Sequence, residues 1–318
     1  MIDSHHHLWD LSVRAQPWLT GDQPWASSEQ LAPLRRSFTE ADLFSAAVSA
    51  GVDATVVVQV LADPAETADM LALAASGGLV SAVVGWADLA APDVEEQVAG
   101  YRSLPGGGRL AGVRHPLLAE PDPYWLGHAS VRRGLRALAS SGLCFDLTLF
   151  ARQLPLAVAA ARAVPSLMFV LDHLGNPAVT TAATATTATV ATATVGVHSA
   201  DGVDGVGGVD AVGGVDGVDA GWAAAIGDLG RLDNVVCKLS GAHTSPPSVL
   251  ALRPWFSTVL AAFGPDRLMF GSDWPVSSLV APYGEIAGMY RALIAELSAS
   301  EQQAILDGTA RRVYGLEA

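Results

Sequence analysis

The sequence predicts an α/β protein that folds as a single-domain (β/α)8 TIM barrel. Three observations lead to this fold class. Short β-branched or apolar runs alternate with longer Ala- and Leu-rich stretches, eight such runs can be counted, and several of them end in histidine or aspartate. Serial strand and helix units of this kind are typical of a parallel sheet covered by helices. A doubly wound open sheet would show the same alternation and stays the alternative at this point.

The eight candidate strands follow one another with room for a helix after each. They cover residues 1–7, 54–60, 80–86, 110–114, 143–147, 168–173, 234–239 and 267–273. Apolar residues recur at helical spacing in four of the intervening stretches, 64–75, 131–141, 154–163 and 252–263. We expect these helices to pack on the outside of the barrel.

Composition narrows the class of protein and of partner. The chain has 318 residues, of which 50% are hydrophobic and 16% charged, so it can bury a large core and is globular. A formal net charge of -14 repels phosphate backbones and anionic lipid, which argues against nucleic acid and membrane partners. The expected partner is a small-molecule substrate, and a homo-oligomer stays open.

Cysteine usage and the start of the chain indicate the compartment. Cys144 and Cys237 lie in apolar strand-like contexts without metal-type spacing, which predicts buried free thiols. The chain begins without the basic and apolar regions of a signal peptide, and no run of about 18 apolar residues occurs. We therefore expect a cytoplasmic protein.

One segment interrupts the barrel pattern. Residues 178–221 form an Ala/Thr tract followed by a Gly-Val-Asp repeat. Calcium-binding β-rolls also repeat Gly and Asp, but they require a stricter nonapeptide. The composition favours a low-complexity insertion in the loop after the sixth strand, because Gly and Thr lose much entropy on ordering and few large side chains compensate.

The first strand ends in three consecutive histidines. Side chains alternate between the two faces of a strand, so His5 and His7 share a face while His6 points the other way. In a barrel, residues at the carboxyl ends of the strands converge on one open face, where polar groups are typically catalytic. A tag remnant or a solvated strand end is the other interpretation of this run.

Two later strands also end in polar residues. His173 closes the sixth strand, and Asp273 closes the eighth, with Pro275 stopping further pairing. Together with His5 and His7 they would supply ligands for one divalent metal, zinc before others, or hydrogen-bond donors to a carbonyl oxygen without a metal. Each residue alone is more often a hydrogen-bonded structural group.

Six short motifs occur in a fixed order along the chain. They are His5-x-His7, Gly112-Val113-Arg114-His115, Asp172-His173-Leu174-Gly175, Cys237-Lys238-Leu239-Ser240-Gly241, Phe263-Gly264-Pro265-Asp266-Arg267 and Gly271-Ser272-Asp273-Trp274-Pro275. As a set they resemble the amidohydrolase-related (amidohydrolase 2) family. The likeness is greatest to its branch of sugar-lactone and dicarboxylate lactonases, such as L-fuconolactonase and L-rhamnonolactonase. It runs almost end to end and departs at residues 178–221, where relatives are expected to have a shorter connection.

The resemblance implies at most one metal ion. Binuclear members of the wider superfamily bridge two metals with a carbamylated lysine on the fourth strand. Lys238 is the only lysine of this chain and lies on the seventh candidate strand. Two roles stay open for it: contact with the substrate, or an ion pair with a carboxylate.

The activity that the resemblance implies is hydrolysis of a lactone. Asp273 would take a proton from water, direct the water at the carbonyl and then pass the proton to the leaving ring oxygen. His5, His7 and His173, with or without zinc, would polarise the carbonyl and stabilise the oxyanion. Arg114 would bind the carbonyl or a substrate carboxylate, or else form a structural ion pair.

Further strand-end residues are candidates for substrate binding. His115 adjoins Arg114, and Gln59, Trp86 and Asp146 end three other strands, where a hydroxylated substrate needs polar partners and an apolar platform. Three tryptophans near the amino terminus, Trp9, Trp18 and Trp25, would either cap the substrate or anchor the core.

Three rival functions stay open. Opening of a dicarboxylate lactone and nonoxidative decarboxylation are the enzymatic rivals, and the first of them needs several cations at the barrel mouth. Arg114 and Lys238 are the clear inward candidates, which favours a neutral, hydroxylated lactone. An inactive binding barrel would have lost its acid-base residue, whereas Asp273 is present.

Overall fold

The computed structural model describes residues 1–177, 218–241 and 248–317. Within them, one sheet of eight parallel strands runs in the order of the sequence. The strands are β1 (Ile2–His6), β2 (Ala54–Val58), β3 (Val80–Gly85), β4 (Leu110–His115), β5 (Cys144–Leu147), β6 (Phe169–Leu171), β7 (Val235–Leu239) and β8 (Leu268–Phe270). Each of them lies inside or within one residue of a strand predicted from the sequence.

The last strand returns to the first. The backbone N–H of Asp273 donates to His5 at 2.8 Å, and that of His7 donates to Trp274 at 2.7 Å. These bonds and a parallel bridge between His6 and Trp274 join the end of β8 to β1. The predicted (β/α)8 barrel is thereby confirmed and the open sheet is excluded.

A helix follows each strand and packs on the outside. These helices are α1 (Glu40–Ser49), α2 (Pro64–Ala74), α3 (Val94–Arg102), α4 (Ala129–Ser140), α5 (Leu154–Ala163), α6 (Ala220–Gly230), α7 (Val249–Phe263) and α8 (Tyr283–Ile294). Side-chain caps begin several of them, as where Asp63 accepts from Ala65 N–H and Ser248 from Ala251 N–H. Two short helices, α9 (Ala299–Gln303) and α10 (Thr309–Tyr314), complete the described chain.

The barrel interior is filled with apolar side chains on the amino-terminal side. The strands contribute Ile2, Val56, Val58, Ala82, Val84, Cys144, Val170, Val236 and Met269. Ala310 and Tyr314 of α10 pack against this cluster and close that end. The polar strand ends therefore lie on the opposite, open face, where barrel enzymes have their active sites.

After β6 the described chain resumes at Val218, inside the stretch 178–221 that the sequence predicts to be an insertion. Residues 178–217, most of the predicted insertion, lie outside the described residues. Its last four residues belong to the barrel: Val218 is buried, and Asp219 caps α6 by accepting from Trp222 N–H at 2.6 Å. The cap of α6 therefore lies within the stretch 178–221 that the sequence predicts to be an insertion, because its residues still read as part of the Gly-Val-Asp repeat.

The structure also bears on the two cysteines and on membrane-spanning helices. Cys144 and Cys237 are buried free thiols, as predicted. Among the described helices, none combines the length and the apolarity needed to span a lipid bilayer.

Candidate active site

β1 delivers two imidazoles to the open end of the barrel. The register of β1 with β2 shifts between Asp3 and His6. His5 and His7 share the inner face, with their Nε2 atoms 3.2 Å apart. His6 points away, and its Nε2 lies 2.9 Å from the Thr55 hydroxyl. All three histidines are buried, so they do not form a solvated strand end.

His173 and Asp273 complete the cluster from β6 and β8. The Oδ1 atom of Asp273 lies 3.8 Å from His5 Nε2, 3.6 Å from His7 Nε2 and 4.0 Å from His173 Nε2. Both residues have positive φ, 55° for His173 and 56° for Asp273. The left-handed region costs an L-residue about 1–2 kcal/mol, and such strain is concentrated at functional sites.

The glycine after β7 makes room for the His173 ring. Gly241 has φ of 66°, and a Cβ atom there would lie 2.4 Å from Cγ and Nδ1 of His173. The adjacent Ser240 places its hydroxyl 2.9 Å from His173 Nδ1. Gly241 and Ser240 therefore fix the position and orientation of this imidazole together.

The ligand atoms of the cluster lie close enough to hold a metal ion in two overlapping groups, His5 with His7 and Asp273, and His5 with Asp172 and His173. Zinc bonds nitrogen at about 2.0–2.1 Å, which separates neighbouring ligand atoms by about 3.3 Å. Within the group of His5, His7 and Asp273 the donor atoms lie 3.2–3.8 Å apart, and His173 Nε2 lies 4.0 Å from Asp273 Oδ1. His7 Nδ1 donates to the Val58 carbonyl at 2.8 Å, and His173 Nδ1 faces Ser240, so both rings can present an unprotonated Nε2 to a cation. The residues present therefore fit a single divalent ion.

Electrostatics favour an ionised aspartate beside neutral imidazoles. Burial alone would raise the pKa of Asp273, but the imidazole of His173 holds it below the usual value. Burial lowers the pKa of His5 and of His7. Near neutral pH the carboxylate is thus available as a base and the two imidazoles carry no charge.

Below the cluster lies a buried network of charges. Lys238 Nζ is 2.6 Å from Asp146 and 3.1 Å from Asp172, and none of these three side chains has exposed surface. Asp172 also contacts Arg114 at 3.4 Å and His5 Nδ1 at 3.2 Å. Burial would raise the pKa of Asp172, but the ammonium group of Lys238 beside it holds the pKa well below its usual value. Of the two roles left open for Lys238, the structure therefore shows the ion pair.

Sequence reasoning assigned no role to Asp172 or Ser240. Both residues stand inside motifs that the sequence displays: Asp172 directly precedes His173, and Ser240 lies two residues after Lys238. Strand alternation could have placed Ser240 on the same face as Lys238. The structure also shows that Asp146, predicted to line the pocket, lies beneath it, because its carboxylate is bound to Lys238 and to the Tyr314 hydroxyl.

Gln59 orients Arg114. Arg114 Nη2 donates to the backbone oxygen of Gln59 and, at 3.3 Å, to its Oε1. The Gln59 amide in turn donates to the Arg114 carbonyl at 3.1 Å. Gln59 is fully buried, whereas Arg114 is 7% exposed. Arg114 thus lies at the floor of the site, and Gln59 supports it from behind.

His115 and Trp86 form a second group beside Arg114. Trp86 Nε1 donates to His115 Nδ1 at 3.4 Å, and His115 Nε2 lies 2.8 Å from Glu120. The His115 ring stacks on Trp125 at 3.9 Å with 9° between the planes. Both ring nitrogens of His115 are therefore engaged, and the group holds Trp86 in place.

The amino-terminal tryptophans form a chain of ring contacts. Trp9 is 5% exposed and meets Phe38 and Trp18 edge-on at 5.1 and 5.5 Å. Trp25 lies 6.2 Å from Trp18 and is 44% exposed. Trp9 is thus a core anchor, and Trp25 lies at the surface.

Comparison with known proteins gives consistent matches over the whole length. The profile of the amidohydrolase family matches residues 2–316. An L-fucono-1,5-lactonase from Burkholderia multivorans is 34% identical over 325 residues, covering 99% of this chain and 96% of the relative. Another from Burkholderia ambifaria is 30% identical over 287 residues, covering 89% and 83%. A crystal structure of a Burkholderia multivorans amidohydrolase with bound zinc superposes with a TM-score of 0.79, at 32% identity, over 99% of both chains.

Proposed function

This chain belongs to the amidohydrolase family, and we propose that it hydrolyses the lactone of a sugar acid. The family resemblance predicted from the strand-end motifs is confirmed by the match over residues 2–316. Two relatives that align with most of the chain are L-fucono-1,5-lactonases. Their activity supports a neutral, hydroxylated 1,5-lactone as the substrate class.

The observation that carries the proposal is the buried carboxylate of Asp273 facing three imidazoles. Asp273 holds a water molecule, takes its proton and directs the oxygen at the lactone carbonyl. The carbonyl carbon gains the new C–O bond while the bond to the ring oxygen breaks. Asp273 then returns the proton to the departing ring oxygen, so the products are a free hydroxyl and a carboxylic acid.

His5, His7, His173 and Asp273 are the residues that would hold one zinc ion. When bound, the ion supplies Lewis-acid polarisation of the carbonyl oxygen. The zinc in the Burkholderia multivorans structure supports this choice of metal. Arg114, at the floor of the site, adds a fixed positive charge for the developing oxyanion.

The charge balance of the site supports a neutral substrate. Lys238 and Arg114, the cations of the buried network, face the carboxylates of Asp146 and Asp172. The two positive charges are therefore neutralised within the described part of the barrel. A dicarboxylate would find little net positive charge there, whereas hydroxyl groups need only hydrogen-bond partners.

The base is tested by Asp273→Asn. The change keeps the volume and removes the proton acceptor, so lactone turnover should fall by about 10³-fold or more while the fold survives. A pH-indicator assay measures turnover, and thermal unfolding checks the fold. Asp233→Asn, at an exposed position, is the matched control and should retain full activity. Wild-type turnover by Asp273→Asn would refute the proposed mechanism.

A further inference from the structure

The Nδ1 atom of His5 has a donor and an acceptor at nearly the same distance. It lies 3.2 Å from Asp172 Oδ1 and 3.1 Å from Lys238 Nζ. A carboxylate can only accept a hydrogen bond, and an ammonium group can only donate one. A neutral imidazole carries one ring proton, so the tautomer of His5 decides which of the two partners Nδ1 bonds.

The other ring nitrogen of His5, Nε2, also has a partner that depends on the tautomer. His7 Nδ1 faces the Val58 carbonyl at 2.8 Å and must be protonated, because a carbonyl only accepts. His7 Nε2 is therefore unprotonated, and it lies 3.2 Å from His5 Nε2. With its proton on Nε2, His5 donates to His7. With its proton on Nδ1, two lone pairs face each other, which is favourable only with a cation between them.

Two complete hydrogen-bond arrangements thus share one set of atomic positions. In the first, Lys238 donates to His5 Nδ1, and His5 Nε2 donates to His7. In the second, His5 Nδ1 donates to Asp172, and both Nε2 atoms offer lone pairs to a metal ion. Arg114 Nη1 lies 3.4 Å from His5 Nε2 and slightly favours the second arrangement, because it can donate only to an unprotonated Nε2. The same Nη1 atom also donates to Asp172 Oδ2 at 3.4 Å.

Lys238 is held in place as the hydrogen-bond donor to His5 Nδ1. Its Nζ atom is bound to Asp146 Oδ2 at 2.6 Å, and the Tyr314 hydroxyl donates to the same oxygen at 3.1 Å. Lys238 has no exposed surface, so its ammonium group cannot turn away toward water. The lysine therefore stays beside His5 whether or not a metal is bound.

We infer that His5 changes tautomer when the site takes up a divalent cation, and that Lys238 stabilises the cation-free tautomer while Asp172 stabilises the loaded one. One proton leaves Nε2 for solvent as another reaches Nδ1, so the imidazole stays neutral throughout. Lys238 is thus a positioning residue that limits metal affinity. The inference concerns the metal site alone and does not depend on which substrate the protein hydrolyses.

The unaltered protein gives the first test. Long-range ¹H–¹⁵N correlation spectra of histidine-labelled protein distinguish protonated from unprotonated ring nitrogens, and the spectrum of His5→Gln identifies the His5 signals. After chelation, His5 should carry its proton on Nε2, and zinc titration should move it to Nδ1. A proton already on Nδ1 in the metal-free protein would overturn the inference.

A charge-balanced variant gives the second test. Lys238→Met combined with Asp146→Asn removes one buried cation and one buried anion, and leaves Asp172 as the sole partner of His5 Nδ1. The double variant should show the Nδ1 proton without metal and bind zinc about tenfold more tightly, within the range that outer partners of metal ligands contribute.

Asp146→Asn alone is the matched control. It retains Lys238, so it should keep the Nε2 proton and gain no zinc affinity. The inference would be contradicted if the double variant bound zinc no more tightly than the unaltered protein, or no more tightly than this control. If the double variant does not fold, the spectra of the unaltered protein still decide the matter, and no substrate is needed for either test.

Discussion

Substitution of Gly241 by alanine tests how tightly the barrel confines His173. The new Cβ would lie 2.4 Å from His173 Cγ and Nδ1 and 2.6 Å from its Cβ. Ordinary van der Waals contacts of a Cβ begin at 3.4 Å. The imidazole must therefore move by about 1 Å, away from the Ser240 hydroxyl and from Asp273.

Two separate costs follow from this change. Alanine at φ of 66° costs about 1–2 kcal/mol of stability, because the left-handed region is unfavourable for an L-residue. A displacement of about 1 Å in a catalytic group costs about 10²-fold in rate. We therefore expect kcat/KM for the lactone to fall by about 100-fold, whereas the melting temperature falls by only a few degrees.

Gly142→Ala separates these two costs. Gly142 has the same φ of 66°, but a Cβ there would meet nothing within 4 Å. This control should lose about the same stability and keep its lactonase activity. Equal activities of the two alanine variants, with Gly241→Ala folded, would refute the argument that Gly241 positions His173.

Two further predictions concern pH. The pKa of Asp273 is held below its usual value and those of His5 and His7 are lowered by burial, so none of these three groups should change its protonation between about pH 8 and about pH 5. An acid limb of kcat/KM in this range that persists in the His173→Gln variant would contradict the assignment of the base. Burial raises the pKa of the Glu66 carboxyl from 4.5 to about 7, although the carboxyl accepts hydrogen bonds from Val60 and Leu61 N–H. The folded state therefore keeps the carboxyl proton to a higher pH than the unfolded chain, and the folded state loses stability as the pH rises from 4.5 to about 7. In urea unfolding, the free energy of unfolding of Glu66→Gln should equal that of the wild type near pH 4 and exceed it by up to about 3 kcal/mol at pH 8. A difference that does not change with pH would show that the Glu66 carboxyl does not titrate in that range.

The barrel could be predicted from the sequence because its signals are local. β-branched runs mark the strands, and period-two alternation placed His5 and His7 on one face without knowledge of any other strand. Both turned out to face the interior, 3.2 Å apart at Nε2. The strand-end positions of His173 and Asp273 followed from the same reasoning, since parallel strands end on one face.

The buried network could not be predicted in the same way, because its contacts join distant parts of the chain. Lys238 meets Asp146 from 92 residues away, and Tyr314 reaches the same carboxylate across 168 residues. The sequence left two roles open for Lys238, and only its lack of exposed surface distinguishes them. For Asp146, alternation predicts the direction of the side chain but not its depth, since alternation carries no information on the distance from the open end.

One assay tests directly whether this barrel opens neutral sugar-acid lactones. Purified protein is offered a panel of aldonolactones and dicarboxylate lactones in a pH-indicator assay, with the metal content determined on the same sample. We expect rapid acid release from an aldono-1,5-lactone, little from the dicarboxylates, and no more than one zinc ion per chain. The proposed function would be contradicted by a lack of acid release from every aldonolactone, by turnover confined to dicarboxylates, or by two metal ions per chain.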